Sequence, residues 1–175
     1  SHVLRAEEWI SSTPRHYLLY QAMGYEPPHY AHLPMLLGKD RSKLSKRHGA
    51  VSINEYQQQG YLPEAMVNFL ALLRWSLDDK TEIFSRQELI DNFSLERVSR
   101  TAAIFNQDKL DWMNGVYIRG LPAEDFVQRA LPFLERDLPP EVKRPLPIEY
   151  IRQMMPVVQE RAKTLAKVAE LVRFF

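Results

Sequence analysis

The chain has 175 residues, a formal net charge of +1 and no cysteine. The lack of cysteine excludes disulfides, thiolate metal sites and thiol nucleophiles and is compatible with a reducing cytosol, and near-neutrality means that affinity for nucleic acid must come from local basic patches. The composition, 45% hydrophobic and 26% charged, is that of a globular chain able to bury a core, while the longest apolar stretch, residues 66–73, is broken by Asn68 and too short to cross a bilayer, and no basic-then-apolar leader opens the chain.

Residues 1–5 are short and β-leaning and read as a strand. Thr13 as N-cap, Pro14 at the first helical position and Gly24 after the last turn bracket a helix over 14–23, with Leu18, Leu19, Ala22 and Met23 as its apolar face. Pro27 and Pro28 break the chain. Residues 33–37 read as a second strand, and strand, helix and strand suit the edge of an α/β nucleotide-binding domain. After residue 50 the pattern turns helical. Ser52 with Glu55 and Ser85 with Glu88 form capping boxes, the first helix closing at Gly60 and the second near Asn92. Pro63 starts a helix to about residue 75. Helices follow over 107–117, capped by Asn106, and from Pro122 to about 136. The proline-rich stretch 138–147 reads as a linker or long turn, and 148–175 as helical with a break near Pro156. The fold class expected is mainly α, with an α/β edge over 1–40 and helical parts over 41–120 and 121–175.

The chain is organised around residues 39–49, KDRSKLSKRHG. Lys39, Arg41, Lys43, Lys46 and Arg47 are basic and Asp40 is acidic. Ser42, Ser45 and Gly49 are small and leave the backbone mobile and reachable. Charges this dense cannot be buried unpaired, so the loop is either solvated or waits for an anion. Lysine, a point charge on a long stem, suits a flexible phosphate contact.

Lys43-Leu44-Ser45-Lys46-Arg47 resembles the KMSKS signature of class I aminoacyl-tRNA synthetases, and with His48 and Gly49 most resembles bacterial glutamyl-tRNA synthetases. The flanks strengthen the likeness: His2 to Trp9 with Ser11-Ser12-Thr13-Pro14 upstream, Gly60 to Ala65 downstream, then Lys109 to Asn114 with Tyr117-Ile118. The resemblance keeps the family's order over nearly the whole chain. It implies the end of a Rossmann-type catalytic domain over 1–40, the lysine loop and stem-contact domain over 41–120, and the first part of a helical anticodon-binding domain over 121–175. It also implies glutamate, ATP with Mg2+ as a substrate complex, and tRNA(Glu) as ligands. No tightly bound metal is expected. The protein would be cytoplasmic, monomeric and not membrane-bound.

By this resemblance Lys46 and Lys43 are the catalytic candidates. A mobile lysine that tightens as charge grows on the α-phosphate stabilises the transition state more than the ground state. The ATP set is Glu8, Leu36, Lys43, Ser45, Lys46 and Arg47. Arg5 would hold the substrate glutamate, since its planar fork can give a carboxylate two hydrogen bonds; the other reading is a structural ion pair with Glu7 or Glu8. Trp9 is a core residue or an adenine platform, and Leu36 an adenine neighbour or a buried strand leucine. Arg47, Arg97, Arg100 and Arg161 are the tRNA candidates. Arg97 and Arg100 flank a turn capped by Ser94, and Arg161 resembles the start of an anticodon-reading helix. Each could equally be a solvated surface arginine.

His29-Tyr30-Ala31-His32 has the spacing of the family's His-x-Gly-His signature but lacks the glycine and follows two prolines, so it reads as a decoy, and as a metal site it lacks a third ligand. The true signature is missing, so the chain reads as a fragment inactive alone. Ala6 stands where the family usually has glycine and Asn106 where it often has aspartate. The alternative function is a non-catalytic helical tRNA-binding module. A short paralogue that glutamylates a tRNA base fits less well, because this chain continues past residue 120. A glutaminyl relative, with β-barrel anticodon domains, does not fit the helices from Pro122 onward.

Overall fold

The structure, a computed structural model, describes residues 1–45, 47 and 52–174. It begins with strand β1 (His2–Ala6), a 3-10 turn (Glu7–Ser12), helix α1 (Thr13–Ala22) and strand β2 (His29–Leu33). The two strands pair in parallel, with Val3 opposite Tyr30 and Arg5 opposite His32. Side chains alternate across a strand, so Val3, Arg5, Tyr30 and His32 share the half-buried face. Helix α1 starts one residue earlier than its sequence signal. Ser12 is the N-cap and Thr13 lies inside the helix, its hydroxyl donating to the Trp9 carbonyl at 2.8 Å. Gly24 closes the helix with φ +72°, a conformation that favours glycine. The apolar face expected of α1 is in solvent: Leu18 is 62% exposed and Met23 60%.

The strand expected over 33–37 forms only at its ends: Leu33 closes β2, which lies mostly before it, and Leu36–Leu37 form β3. Pro34 has no N–H for a ladder, and the chain changes partner there. Beyond it, β3 (Leu36–Leu37) pairs in parallel with β4 (Ala103–Ile104), which ties the entrance of the basic loop to the helical part of the chain.

Both predicted capping boxes form, at the starts of α2 (Ile53–Gln58) and α4 (Arg86–Asn92). Helix α3 (Pro63–Leu72) stops short of Trp75, which is buried against Phe84 and Leu89. Asn106 caps α5 (Gln107–Arg119) by accepting from the amides of Asp108 and Lys109. Helices α6 (Ala123–Asp137) and α7 (Ile148–Arg161) each carry an internal proline, Pro132 and Pro156. The break expected near Pro156 is not there. One lost backbone hydrogen bond does not end a helix whose Ile151, Met155 and Val158 are buried on one face. The chain leaves the helical path at Ala162 instead, and a short α8 (Val168–Leu171) follows.

The largest apolar cluster joins Leu62 and Ala65 of the α3 region and Ile118 of α5 to Phe126, Ala130, Leu134, Met155 and Val158 of α6 and α7. A second, around Tyr56, Phe69, Phe105, Leu110 and Met113, packs α3 on α5. Buried amides bridge the elements. Asn68 accepts from the Phe84 amide at 2.8 Å and from the Tyr117 hydroxyl at 2.7 Å. Gln159 donates to the carbonyls of Ile118 and Leu121 at 2.8 and 2.9 Å. Among the described residues, no helix is long and apolar enough to cross a membrane.

Candidate active site

Arg5 leaves β1 on the face that looks at α1. It pairs with neither Glu7 nor Glu8. Its Nε donates to His32 Nε2 at 3.2 Å, Nη1 to His16 Nδ1 at 3.1 Å and Nη2 to Thr13 Oγ1 at 2.8 Å. Both histidines must therefore offer a lone pair to it. The guanidinium also lies 5.0 Å from the Tyr30 ring centre and 5.6 Å from that of Trp9. Trp9 itself is 47% exposed, so it is not a core residue. A pocket of about 270 Å3, lined by Val3, Arg5, His16, Leu19, Tyr20 and Tyr30, opens beside the guanidinium.

A guanidinium has five N–H groups. Three are used among the described residues, one on each nitrogen, so one N–H on Nη1 and one on Nη2 have no partner among them. Two parallel donors of this kind are what a carboxylate needs for a bidentate grip.

In the sequence His32 reads as a decoy and Thr13 as a helix N-cap, and His16 is not singled out. Their role follows from the parallel register and from helix α1 crossing the same face, neither of which is written in the local pattern. Strand alternation between Arg5 and Val3 was the one available signal.

The basic loop is folded where it is described. Gly38 donates to the Ser42 carbonyl and Leu44 to the Leu36 carbonyl, each at 2.9 Å, and Leu37 bridges Lys43 antiparallel. Asp40 accepts from the Ser42 amide and hydroxyl at 3.0 and 2.9 Å, with Arg41 at φ +60°. This is an Asx-type turn, so Asp40, Ser42 and the backbone shape the segment expected to be mobile. Its described lysines, Lys39 and Lys43, meet carboxylates. Lys39 lies 2.6 Å from Asp108 of α5 and Lys43 2.8 Å from Glu8. The Lys39 ammonium holds the Asp108 carboxyl below the usual range, chiefly through their hydrogen bond. Arg47 is exposed and Ser45 half-buried. Lys46, the foremost catalytic candidate, lies outside the described residues, as do His48 and Gly49.

Leu36 is half-buried at the loop entrance. The bend before it is held from both sides. Glu7 accepts from the Met35 amide at 3.2 Å, and Arg74 donates to the carbonyls of Pro34 and Met35. Arg74 is not singled out in the sequence, and Glu7 figures there only as a partner for Arg5; both fix this bend.

The RNA candidates are scattered. Arg97 sits in a 3-10 turn (Leu95–Arg97) and donates to the Leu77 carbonyl at 2.8 Å; Ser94 precedes this turn but its side chain caps nothing. Arg100 is exposed. Arg161 is exposed at the C-terminal end of α7, not at the start of a helix, where a cation suits the helix dipole. Among the described residues, no group of three or more His, Cys, Asp or Glu side chains could hold a metal ion.

A parallel strand–helix–strand unit that leads into a basic loop is the architecture of an α/β domain edge. The model of the family described as tRNA synthetases class I (E and Q), catalytic domain, matches residues 1–112, and the chain belongs to that family. It is 64% identical over 174 residues to a glutamate–tRNA ligase of Dehalococcoides mccartyi, covering 99% of this chain and 36% of the relative. A glutamate–tRNA ligase of Moorella thermoacetica is 50% identical over 179 residues, covering all of this chain and 36% of that protein. Among solved structures, the crystal structure of a glutamate tRNA ligase from Elizabethkingia meningosepticum in complex with its amino acid superposes with a TM-score of 0.80 at 31% identity, over 99% of this chain and 37% of that one. The chain thus spans little more than a third of the length of these relatives.

Proposed function

We propose that this chain is the portion of a glutamyl-tRNA synthetase that carries its phosphate loop and first RNA-contacting helices. In the whole protein, the glutamate α-carboxylate attacks the α-phosphate of ATP and pyrophosphate leaves. The glutamyl group then passes from the adenylate to the 3′ end of tRNA(Glu), releasing AMP. Residues 1–40 are the end of the catalytic domain, 41–120 the lysine loop and stem-contact domain, and 121–175 the start of the anticodon-binding domain. Mg2+ enters with ATP as part of the substrate. The protein works as a cytoplasmic monomer.

The observation that carries this reading is the Arg5 fork. Among the described residues two of its N–H groups have no partner, beside a pocket of about 270 Å3, while three others fix the guanidinium in place. A glutamate side-chain carboxylate fits such a donor pair. The contact between Lys43 and Glu8 brings the basic loop to the residues that follow the same strand. Lys43 and Lys46 then neutralise charge on the departing phosphates, Ser45, Arg47 and Glu8 complete the ATP contacts, and Leu36 packs beside the adenine. Arg47, Arg97, Arg100 and Arg161 contact tRNA phosphates or bases.

The test is Lys46→Ala in the whole protein. The expected outcome is a loss of adenylate formation of at least a hundredfold with tRNA affinity nearly kept, as for a charge used only in the transition state. Weakened tRNA binding with a smaller salt slope and an unchanged rate of adenylate formation would instead mark the loop as an RNA contact. The chain alone, without the His-x-Gly-His signature, is expected to show no glutamate- and tRNA-dependent ATP turnover.

A further inference from the structure

Residues 162–166 follow Arg161 and are fastened to the α2–α3 junction and to α5 within a few residues. Asn114, fully buried in the middle of α5, faces both ways: its Oδ1 accepts from the Leu62 amide at 2.8 Å, and its Nδ2 donates to the Lys163 carbonyl at 2.6 Å. Two residues on, the Leu165 amide donates to the Gly60 carbonyl at 2.9 Å. Gly60 has φ +80°, and a β-carbon there would come within 2.5 Å of the Ala166 nitrogen and 2.7 Å of the Leu165 nitrogen. Only glycine lets the two backbones approach this closely. Gln159 adds hydrogen bonds from the last turns of α7 to the carbonyls of Ile118 and Leu121.

The other end of α5 is fastened to the basic loop. Asp108, in its first turn, meets Lys39, and the Phe105 amide just before it donates to the Leu37 carbonyl at 2.8 Å. From Asp108 to Ile118 the helix spans about 15 Å. Helix α5 is thus a strut with the base of the phosphate loop at one end and the segment after Arg161 clamped along its side.

We propose that Asn114 and Gly60 are positioning residues for RNA binding, setting a fixed span between the loop-side contact and the contact at Arg161. This rests on the synthetase reading given above. A base-paired RNA stem is stiff, so two contacts on it reinforce each other only if the protein holds them at a matching distance. The gain of a second, linked contact is about 10²–10⁴ in affinity and vanishes when geometry forbids simultaneous engagement. The clamp supplies that geometry without touching RNA.

The experiment measures binding of this chain to tRNA(Glu), and to an RNA hairpin carrying only the acceptor stem, over a salt series. Asn114→Asp keeps the acceptor for the Leu62 amide but removes the donor to Lys163. Gly60→Ala forces Leu165 and Ala166 away. Each is expected to weaken binding of the whole tRNA at least tenfold, with a smaller salt slope, while hairpin binding stays within twofold. A variant that merely loosened the fold would lose both RNAs together. Exposed Arg161→Ala, whose folding is not at issue, is expected to give the same selective loss. Unchanged tRNA affinity in Arg161→Ala, or parallel loss of tRNA and hairpin in the folded clamp variants, overturns the proposal. If the unmodified chain shows no preference for tRNA(Glu) over an unrelated tRNA, the reading beneath it fails instead.

Discussion

Arg5→Lys keeps the positive charge and removes the fork, which makes it the sharpest probe of the proposed glutamate site. Arg5 spends one N–H each on His32, His16 and Thr13, at 3.2, 3.1 and 2.8 Å, and retains one on each terminal nitrogen. A lysine has three N–H groups on a single nitrogen and cannot hold three partners and grip a carboxylate with two more. At least one charge-assisted hydrogen bond to substrate is lost, about 1.5–3 kcal/mol. With 1.4 kcal/mol per tenfold, KM for glutamate should rise roughly 10- to 150-fold. The assay is steady-state aminoacylation by the whole protein with glutamate, ATP and tRNA varied in turn. The KM values for ATP and tRNA should move less than threefold, because the proposal gives neither a contact with the fork. A KM for glutamate within twofold of the unsubstituted protein would refute the reasoning and return Arg5 to a structural role, tying β1, β2 and α1 together.

Three other outcomes follow from the geometry. Phe126→Ala empties a fully buried site in the largest cluster and should cost about 3–5 kcal/mol in urea unfolding of the chain; a cost below 1 kcal/mol would mean that α6 repacks. Burial pushes the Tyr56 phenol up to about 12, with the neighbouring Glu55 and Asp111 charges adding to it. The folded state therefore holds this proton more tightly than the unfolded chain does, so its stabilising contribution is complete below pH 10 and fades between pH 10 and 12. The 295 nm absorbance of Tyr56, isolated by comparison with Tyr56→Phe, should stay flat to pH 11, and a step near pH 10 would contradict the burial argument. Glu8→Gln breaks an exposed pair with Lys43 and should change the melting temperature by no more than the equivalent of about 1 kcal/mol; a larger drop would show that the pair anchors the loop.

Local signals settled a good part of this protein. The capping boxes at Ser52 and Ser85, the Asn106 cap and the starts at Pro63 and Pro122 all depend on a few neighbouring residues, and they form within a residue or two of where the chain writes them. The mainly α character, the first strand and the helix after it follow from the same short-range rules, and the lysine loop is legible from charge density alone; the strand over 29–33 and its parallel pairing are not. Tertiary structure decided what local rules cannot reach. Pro156 could break a helix, but burial of Ile151, Met155 and Val158 keeps α7 whole, and the break moves to Ala162. Pro34 could sit in one strand, but the residues before it pair with β1 and those after it with β4. His32 carries no clue to its role until the parallel register sets it against Arg5, 27 positions away in the chain. Asn114 and Gly60 look ordinary in sequence because their meaning lies in backbone groups near residue 164. Propensity acts over the few residues whose dihedrals it biases, whereas a donor's partner is set by which elements pack together, and only the folded chain fixes that.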